Sequence, residues 1–497
     1  MTWQEIPWGK ILLVIYAVVL LLCVLRVLYK QHNIGTAFAW LLMLFAFPVV
    51  GVILYALIGE PRLGMARAKR TEEMNRFYGQ VIERYLDGVH LEDTPSNLSP
   101  RYHGLGKMAA GGTGIKITNN NAIALLSTTE TIVDSMLADI EAAELSCLLV
   151  FYIIDPKGKI ETLLKAVEAA AQRGVECMIL ADAVGSKNFF NTEWPARLAA
   201  AGVGVQAALP VGLWRTLFTR SDLRNHRKIL IVDKKIGYTG SYNLVDPKWF
   251  KQGAGVGEWI DVMMRCTGPL VLEMAAVFYA DMAVENDDNL NEVLDYLSGF
   301  VERIPTMLPD KMAAGNVMVQ LIPSAPDQAE RVIYETIICD NHMAEQKIVI
   351  TTPYFVPDEP LLTALTTAAK RGVDVTLVLP KKVDSLMVRY ASRAYYPMLL
   401  DAGVKIALFE EGLLHAKTMT IDSEYTLFGT VNMDMRSFFL NLEISLAIYD
   451  LGITAEVEAL QQQYLTQSRL VTRQAWQQRA KGWGLIENTV RLMSPLL

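Results

Sequence analysis

Apolar positions follow two different patterns along the chain. Over the first sixty residues they form runs without periodicity. Ile11 to Leu25 is wholly apolar, Val27 to Tyr29 extend it past Arg26, and Ala37 to Ile58 carries no charge. Runs of about 20 apolar residues match a hydrocarbon core roughly 30 Å thick. The pattern therefore predicts a two-helix transmembrane hairpin within residues 1–59, with Pro48 tolerated inside the second span. The start, MTWQEIPW, lacks the basic region of a cleavable signal, and a second run follows at once, so a retained anchor is expected. Trp3, Trp8, Tyr29 and Trp40 are expected near the membrane interfaces. Arg62, Arg67, Lys69 and Arg70 follow the second run, against Lys30 and His32 in the turn. That bias predicts a two-pass anchor with the large C-terminal part in the cytoplasm and the N-terminus on the same side.

Beyond the anchor the pattern becomes periodic. Thr71 to Tyr85 reads as a charged helix, and Asp87 to Gly114, rich in Gly, Pro, Asn and Ser, as linker, so that residues 60–114 form a juxtamembrane segment. Thr128 to Glu144 predicts a helix, Cys147 to Ile154 a strand, Lys159 to Arg173 a helix and Val175 to Leu180 a strand. The same order returns as helix Ala329–Glu345, strand Ile348–Phe355, helix Pro360–Arg371 and strand Val373–Leu379. Each second helix ends in RGV, with Gly174 and Gly372 expected in the left-handed cap position. LAAAGVGVQAA from Leu198 matches LLDAGVKIALF from Leu399. The expected fold class is α/β, with two similar domains, 115–305 and 306–497, facing each other across a pseudo-twofold axis and built on parallel-rich sheets. The first copy carries about twelve extra residues, Leu209 to Arg220. Their Leu, Trp, Phe and Arg content suits a lip dipping into lipid headgroups or an ordinary packed surface loop. The stretch from Glu456, with Trp476 and Trp483, is expected to be helical and to pack on the second domain.

Composition adjusts this picture in three places. Hydrophobic residues make up 52% of the 497 and mean hydropathy is +0.24, which agrees with membrane attachment. A net charge of -7 argues against a dominant nucleic-acid surface. The five cysteines are scattered without metal-ligand spacing and read as buried reduced thiols.

The chemistry lies in one stretch that occurs twice. His226 to Asn243 reads HRKILIVDKKIGYTGSYN, and His415 to Asn432 reads HAKTMTIDSEYTLFGTVN. His226, Lys228, Asp233, Gly240, Ser241 and Asn243 match His415, Lys417, Asp422, Gly429, Thr430 and Asn432 at every interval. A His two residues before a Lys, at the entry to a strand, puts both side chains on one sheet face. Such a pair suits attack on an anionic phosphodiester: the ammonium offsets the charge while the imidazole acts as nucleophile or proton carrier. Ser241, Asn243, Thr430 and Asn432 could donate to phosphate oxygens. Asp233 and Asp422 complete the candidate catalytic set and are better read as orienters or structural acceptors than as bases. A single HxK is usually a structural histidine; two copies with matched intervals in a duplicated fold read as two halves of one active site.

HxKxxxxD followed by G[ST]xN, present twice, is similar to the signature of the phospholipase D superfamily. The anchor, the segments TTPYFVPDE and GTVNMDMRSFFLNLE, and the closing GLIENTVRLMSPLL resemble bacterial cardiolipin synthases. This resemblance covers essentially the whole chain. It implies transfer of a phosphatidyl group from one phosphatidylglycerol to another through a phosphatidyl-histidine, with His226 as nucleophile, His415 as acid/base, and no metal or other cofactor. It also implies an acidic residue after each motif that supports a histidine, with Glu443 fitting the second copy and Asp261, in EWIDV, the first. The expected partners are phosphatidylglycerol and membrane lipids of the bacterial inner membrane, not nucleic acid, and homo-oligomerisation stays open. Hydrolysis by a membrane-anchored phospholipase D, or another donor or acceptor such as phosphatidylethanolamine, remains as the alternative.

Overall fold

A computed structural model describes residues 8–30, 34–60, 70, 98–210, 220, 222–285, 315–326, 331–480 and 482–494. The chain divides into one unit of residues 1–68 with 211–223 and a second of residues 69–210 with 224–497.

The first unit holds helices α1 (Trp8–Lys30), α2 (Ile34–Ala46) and α3 (Pro48–Ile58). Among the described residues, only α1 is long and apolar enough to cross a membrane by itself. The second apolar run is not the single span its composition predicts. It breaks at Phe47 (φ -131°, ψ 68°), because Pro48 lacks an N–H and its ring disfavours a helical conformation in the residue before it. The lip expected at Leu209 to Arg220 falls largely outside the described residues, as does the charged helix expected at Thr71 to Tyr85.

In the second unit the chain lays down the same arrangement twice. The first half carries α4 (Pro100–Thr113), β1 (Thr118–Leu126), α5 (Thr129–Glu141), β2 (Ser146–Phe151), α6 (Lys159–Gln172), β3 (Glu176–Asp182) and β4 (Gly204–Ala208). The motif region follows as β5 (Arg224–Asn225), β6 (Lys228–Val232), β7 (Ile236–Gly240), β8 (Trp259–Ile260) and β9 (Met263–Thr267), and then α7 (Leu270–Glu285). The second half runs through β10 (Val317–Ser324), α8 (Val332–Met343), β11 (Lys347–Thr351), β12 (Phe355–Val356), α9 (Glu359–Lys370), β13 (Asp374–Pro380) and β14 (Lys405–Phe409). It closes with β15 (Leu413–Leu414), β16 (Thr418–Ile421), β17 (Tyr425–Gly429), β18 (Met433–Asp434), β19 (Asn441–Ile448), α10 (Leu451–Thr466), β20 (Ser468–Leu470) and α11 (Gly482–Arg491).

One sheet spans both halves in the order β20-β14-β13-β11-β16-β17-β19-β10-β1-β9-β7-β6-β2-β3-β4. Reading outward from the antiparallel β1–β10 seam, the two arms repeat strand for strand up to β4 and β14, and β20 is added at the edge of the second. Within each arm only the outer strands are parallel, β2–β3–β4 and β11–β13–β14. The motif strands form short-turned hairpins, β6–β7 and β16–β17, which can pair only antiparallel. The sheet is therefore mixed, not parallel-rich. Helices α7 and α10 both belong to the core cluster that underlies the seam, with Val271, Phe278, Val457 and Tyr464 among its buried members.

Gly174 (φ 93°) and Gly372 (φ 96°) end α6 and α9 in the left-handed conformation. The N–H groups of Val175 and Val373 reach back to the Ala170 and Ala368 carbonyls at 3.1 Å. The stretch read as linker up to Gly114 contains α4. Tyr102, Leu105 and Ala109 are buried in the core of the second half, so this segment belongs to the fold. Its glycines mask the helical spacing, and Gly106 is small because Ile117 packs against it. The C-terminal stretch is interrupted by β20, an edge strand on β14, and then packs on the second half through Trp476 against Tyr396 (4.9 Å) and Trp483 against Tyr390 (5.9 Å).

Candidate active site

Each histidine enters the site at the end of a two-residue strand that pairs with the opposite half. β5 pairs with β19, and the His226 N–H donates to the Leu442 carbonyl at 2.9 Å. β15 pairs with β8, and the His415 N–H donates to the Ile260 carbonyl at 2.8 Å. The residue after each of those carbonyls is a carboxylate, so the support is exchanged between halves. Nδ1 of His226 lies 2.8 Å from Oε2 of Glu443, and Nδ1 of His415 lies 2.6 Å from Oδ1 of Asp261. Facing an ionised carboxylate, Nδ1 is the protonated nitrogen, which assigns the chemistry to the Nε2 lone pair.

Electrostatics favour that neutral form. Burial pushes both imidazoles down to about 4, against the opposing pull of Glu443 and Asp261. Burial alone would raise the two carboxyls, yet the histidines, the lysines and the hydroxyls of Thr430 and Ser241 hold them below their ordinary values. The Lys228 and Lys417 ammonium groups each donate to the carbonyl of the histidine two residues earlier at 2.7 Å, and Lys417 Nζ also lies 3.1 Å from His415 Nε2. Burial brings Lys228 down to about 8 and Lys417 to about 7. The site thus holds two neutral imidazoles and two easily neutralised cations, a setting that gains from an incoming anion.

The remaining motif residues separate into two groups. Asn243 and Asn432 line the same cavity of about 320 Å³ as His226 and His415. The Asn243 carbonyl oxygen accepts the Ile153 N–H at 3.2 Å, while its buried Nδ2 has no partner among the described residues. That nitrogen is a ready donor for a phosphate oxygen. Ser241 and Thr430, expected to bind phosphate, instead donate to the supporting carboxylates: Ser241 Oγ to Asp261 at 2.6 Å and Thr430 Oγ1 to Glu443 at 2.5 Å. They are tied up because each backbone turns into an antiparallel neighbour there, where the N–H of Val262 or Ile444 also donates to the hydroxyl.

Asp233 and Asp422 are not in the cavity. Both sit in the left-handed region (φ 52° and 51°) at the turns following β6 and β16. Asp233 accepts the N–H groups of Leu145 (2.7 Å) and Ser146 (2.8 Å), and Asp422 those of Gln346 (2.7 Å) and Lys347 (2.8 Å). Arg101, on α4, also binds Asp422. Although the motif places these two in the candidate catalytic set, their contacts favour the structural-acceptor reading: each fixes the loop leading into β2 or β11.

The family described as "Cardiolipin synthase, PLD-like domain" matches residues 136–253 and again 337–465, and "Phospholipase_D-nuclease N-terminal" matches residues 13–60. Cardiolipin synthase A of Erwinia tasmaniensis is 38% identical over 483 residues, covering 95% of both chains. Cardiolipin synthase A of Yersinia pseudotuberculosis is 38% identical over 479 residues with the same coverage. The chain belongs to the bacterial cardiolipin synthases of the phospholipase D superfamily. A crystal structure of phosphatidylserine synthase from Haemophilus influenzae has the same fold, with a TM-score of 0.59 at 14% identity, over 79% of this chain and all of that one.

This cardiolipin synthase family member also places residues at its site that motif reading alone misses. Trp259 lies over His415 with ring centroids 4.5 Å apart, and Tyr152 meets His226 at 5.0 Å. Across the rim, Lys251 of the first half pairs with Asp384 of the second at 3.0 Å, and the Tyr354 hydroxyl donates to that carboxylate at 2.7 Å. Arg227, between His226 and Lys228, is buried; it donates to the Glu443 carbonyl at 3.0 Å and the Ser324 carbonyl at 3.1 Å and pairs with Asp281. Its counterpart in the second copy is Ala416, so a search for matched positions passes over it.

Proposed function

We propose that the protein is a cardiolipin synthase that joins two phosphatidylglycerol molecules and releases glycerol. The observation that carries this reading is the exchanged pair of supported histidines facing one cavity, in a chain of this family. In the first step Nε2 of His226 attacks the phosphorus of one phosphatidylglycerol. His415, protonated once the anionic phosphodiester is bound, gives its proton to the departing glycerol oxygen. In the second step His415 takes the proton from a hydroxyl of another phosphatidylglycerol, whose oxygen attacks the phosphorus and releases His226. Atoms balance: two phosphatidylglycerols give one cardiolipin and one glycerol. Lys228, Lys417 and the two asparagines hold the phosphate, and Glu443 and Asp261 keep each imidazole aimed by Nδ1. The basic residues Arg62, Arg67, Lys69 and Arg70 after the anchor support a cytoplasmic position for the catalytic part on the inner membrane.

Purified enzyme in detergent, given labelled phosphatidylglycerol alone, is expected to form cardiolipin and glycerol in equal amounts. Phosphatidic acid as the main product would overturn the reading in favour of hydrolysis. His226→Ala and His415→Ala are each expected to abolish turnover, and of the two only His226→Ala should also abolish a trappable lipid adduct.

A further inference from the structure

The second apolar run of the anchor folds back on itself. Met43 and Gly51, each four residues from Phe47, are in backbone contact: a Cβ on Gly51 would sit 2.7 Å from the Met43 carbonyl. In a continuous helix those residues would be about 12 Å apart. Trp40 and Tyr55, seven residues before and eight after the bend, pack edge to face with centroids 5.3 Å apart. α2 and α3 are therefore antiparallel arms. The Phe47 N–H still donates to the Met43 carbonyl at 3.0 Å and the Gly51 N–H to the Phe47 carbonyl at 2.6 Å. Pro48, at the first position of α3, removes one donor that a helix start leaves unpaired. The bend is thus built to limit unsatisfied backbone where no water is available.

Both ends of this hairpin lie at the C-terminal end of α1. α2 begins at Ile34, shortly after α1 ends at Lys30. Glu60, just past α3, accepts two hydrogen bonds from Arg26 (2.7 and 2.9 Å), one turn before the end of α1, and one from the Tyr55 hydroxyl at 2.7 Å. The buried core of the unit joins Leu44 and Tyr55 to Val27, with Leu20, Cys23 and Val24 beside them, all from the second half of α1. At 1.5 Å per residue α1 is about 34 Å long, whereas α2 and α3 are about 20 and 16 Å. Arms of that length go little past the middle of a core of roughly 30 Å. Their outward side chains, Phe38, Leu42, Phe45, Val49 and Ile53, are 53–69% exposed and suit acyl chains, not water.

We infer that the anchor crosses the bilayer once, through α1, and that α2–α3 is a re-entrant wedge among the acyl chains of the single leaflet on the side where α1 ends. The chain after Glu60 then continues on that side, and the N-terminus lies on the other. Given the cytoplasmic catalytic part proposed above, the N-terminus is external, and the wedge occupies the leaflet that supplies both substrate molecules.

Single cysteines introduced into the full-length protein as Glu5→Cys, Gln31→Cys and Glu73→Cys test this. A membrane-impermeant maleimide is applied from either face of sealed inner-membrane vesicles, with the unsubstituted protein as background for its five native cysteines. Positions 31 and 73 are expected to react from one face and position 5 from the other. Positions 5 and 73 reacting together, with 31 opposite, would mean two full spans and overturn the inference. In a Trp40→Cys/Tyr55→Cys variant a short bifunctional thiol reagent is expected to link the two arms within one chain in intact membranes. Absence of that link in a variant that still makes its lipid product would overturn it as well. Labelling does not depend on turnover, so a failed catalytic assay leaves this test standing.

Discussion

At the scale of single residues, the exchanged carboxylates make a prediction that crosses the repeat. Glu443 belongs to the second half yet holds His226, and Asp261 belongs to the first yet holds His415. Glu443→Gln is expected to lower kcat by about 10²–10⁴-fold, the range that positioned acid–base groups supply, and to suppress the lipid adduct as loss of His226 does. Asp261→Asn is expected to slow turnover comparably while the adduct still forms. Trapping with a single radiolabelled donor measures both; equal adduct in the two variants would contradict the exchange of partners. The lysines set the alkaline limit. With Lys417 near 7 and Lys228 near 8, the charged forms are present below those values and are lost as pH rises through them. kcat/KM for phosphatidylglycerol is therefore expected to fall from about pH 7 upward and more steeply above about pH 8, mainly through KM, because the phosphate loses its counter-charge. The imidazoles, near 4, stay neutral in the free enzyme across that window. A pH profile in mixed micelles that stays flat to pH 10 would count against it.

At the scale of elements, the aspartate of each motif works for the fold. Asp422 joins the turn after β16 to the start of β11 and to Arg101 of α4, so Asp422→Ala leaves several backbone N–H groups and an arginine without their acceptor. A loss on the order of 2–4 kcal/mol is expected, read as a lower thermal midpoint, with kcat per folded molecule near the parent value. A variant of unchanged stability and no activity would return this residue to the chemistry. Much of this level was legible in the chain. The matched intervals located both motifs, and alternating patterns placed α5, β2, α6 and β3 and their repeats to within a few residues. What escaped has physical causes. Glycines hid α4, whose apolar face is defined by the second-half core it meets. In the sequence Pro48 is compatible with an unbroken span, whereas the turn it permits depends on the contact at Gly51. The motif spacing points the Ser241 and Thr430 hydroxyls at phosphate, whereas their carboxylate partners are decided by the neighbouring strand, which no local pattern names.

At the scale of the whole catalytic unit, the two arms meet along β1–β10 and through the buried Arg227, which touches Glu443, Ser324 and Asp281. Arg227→Ala is expected to cost about 3–5 kcal/mol, since it leaves Asp281 buried without its cation. Arg227→Leu combined with Asp281→Leu should recover part of that loss in thermal unfolding; no recovery would mean the arginine acts through its carbonyl contacts instead. The exchange of carboxylates has a consequence for how such an enzyme is made. A ribosome delivers His226 long before Glu443 exists, so the nascent first half carries a potential nucleophile with neither its aligning carboxylate nor its proton-transfer partner. The His226 half of the site is therefore complete only when the last third of the polypeptide has docked.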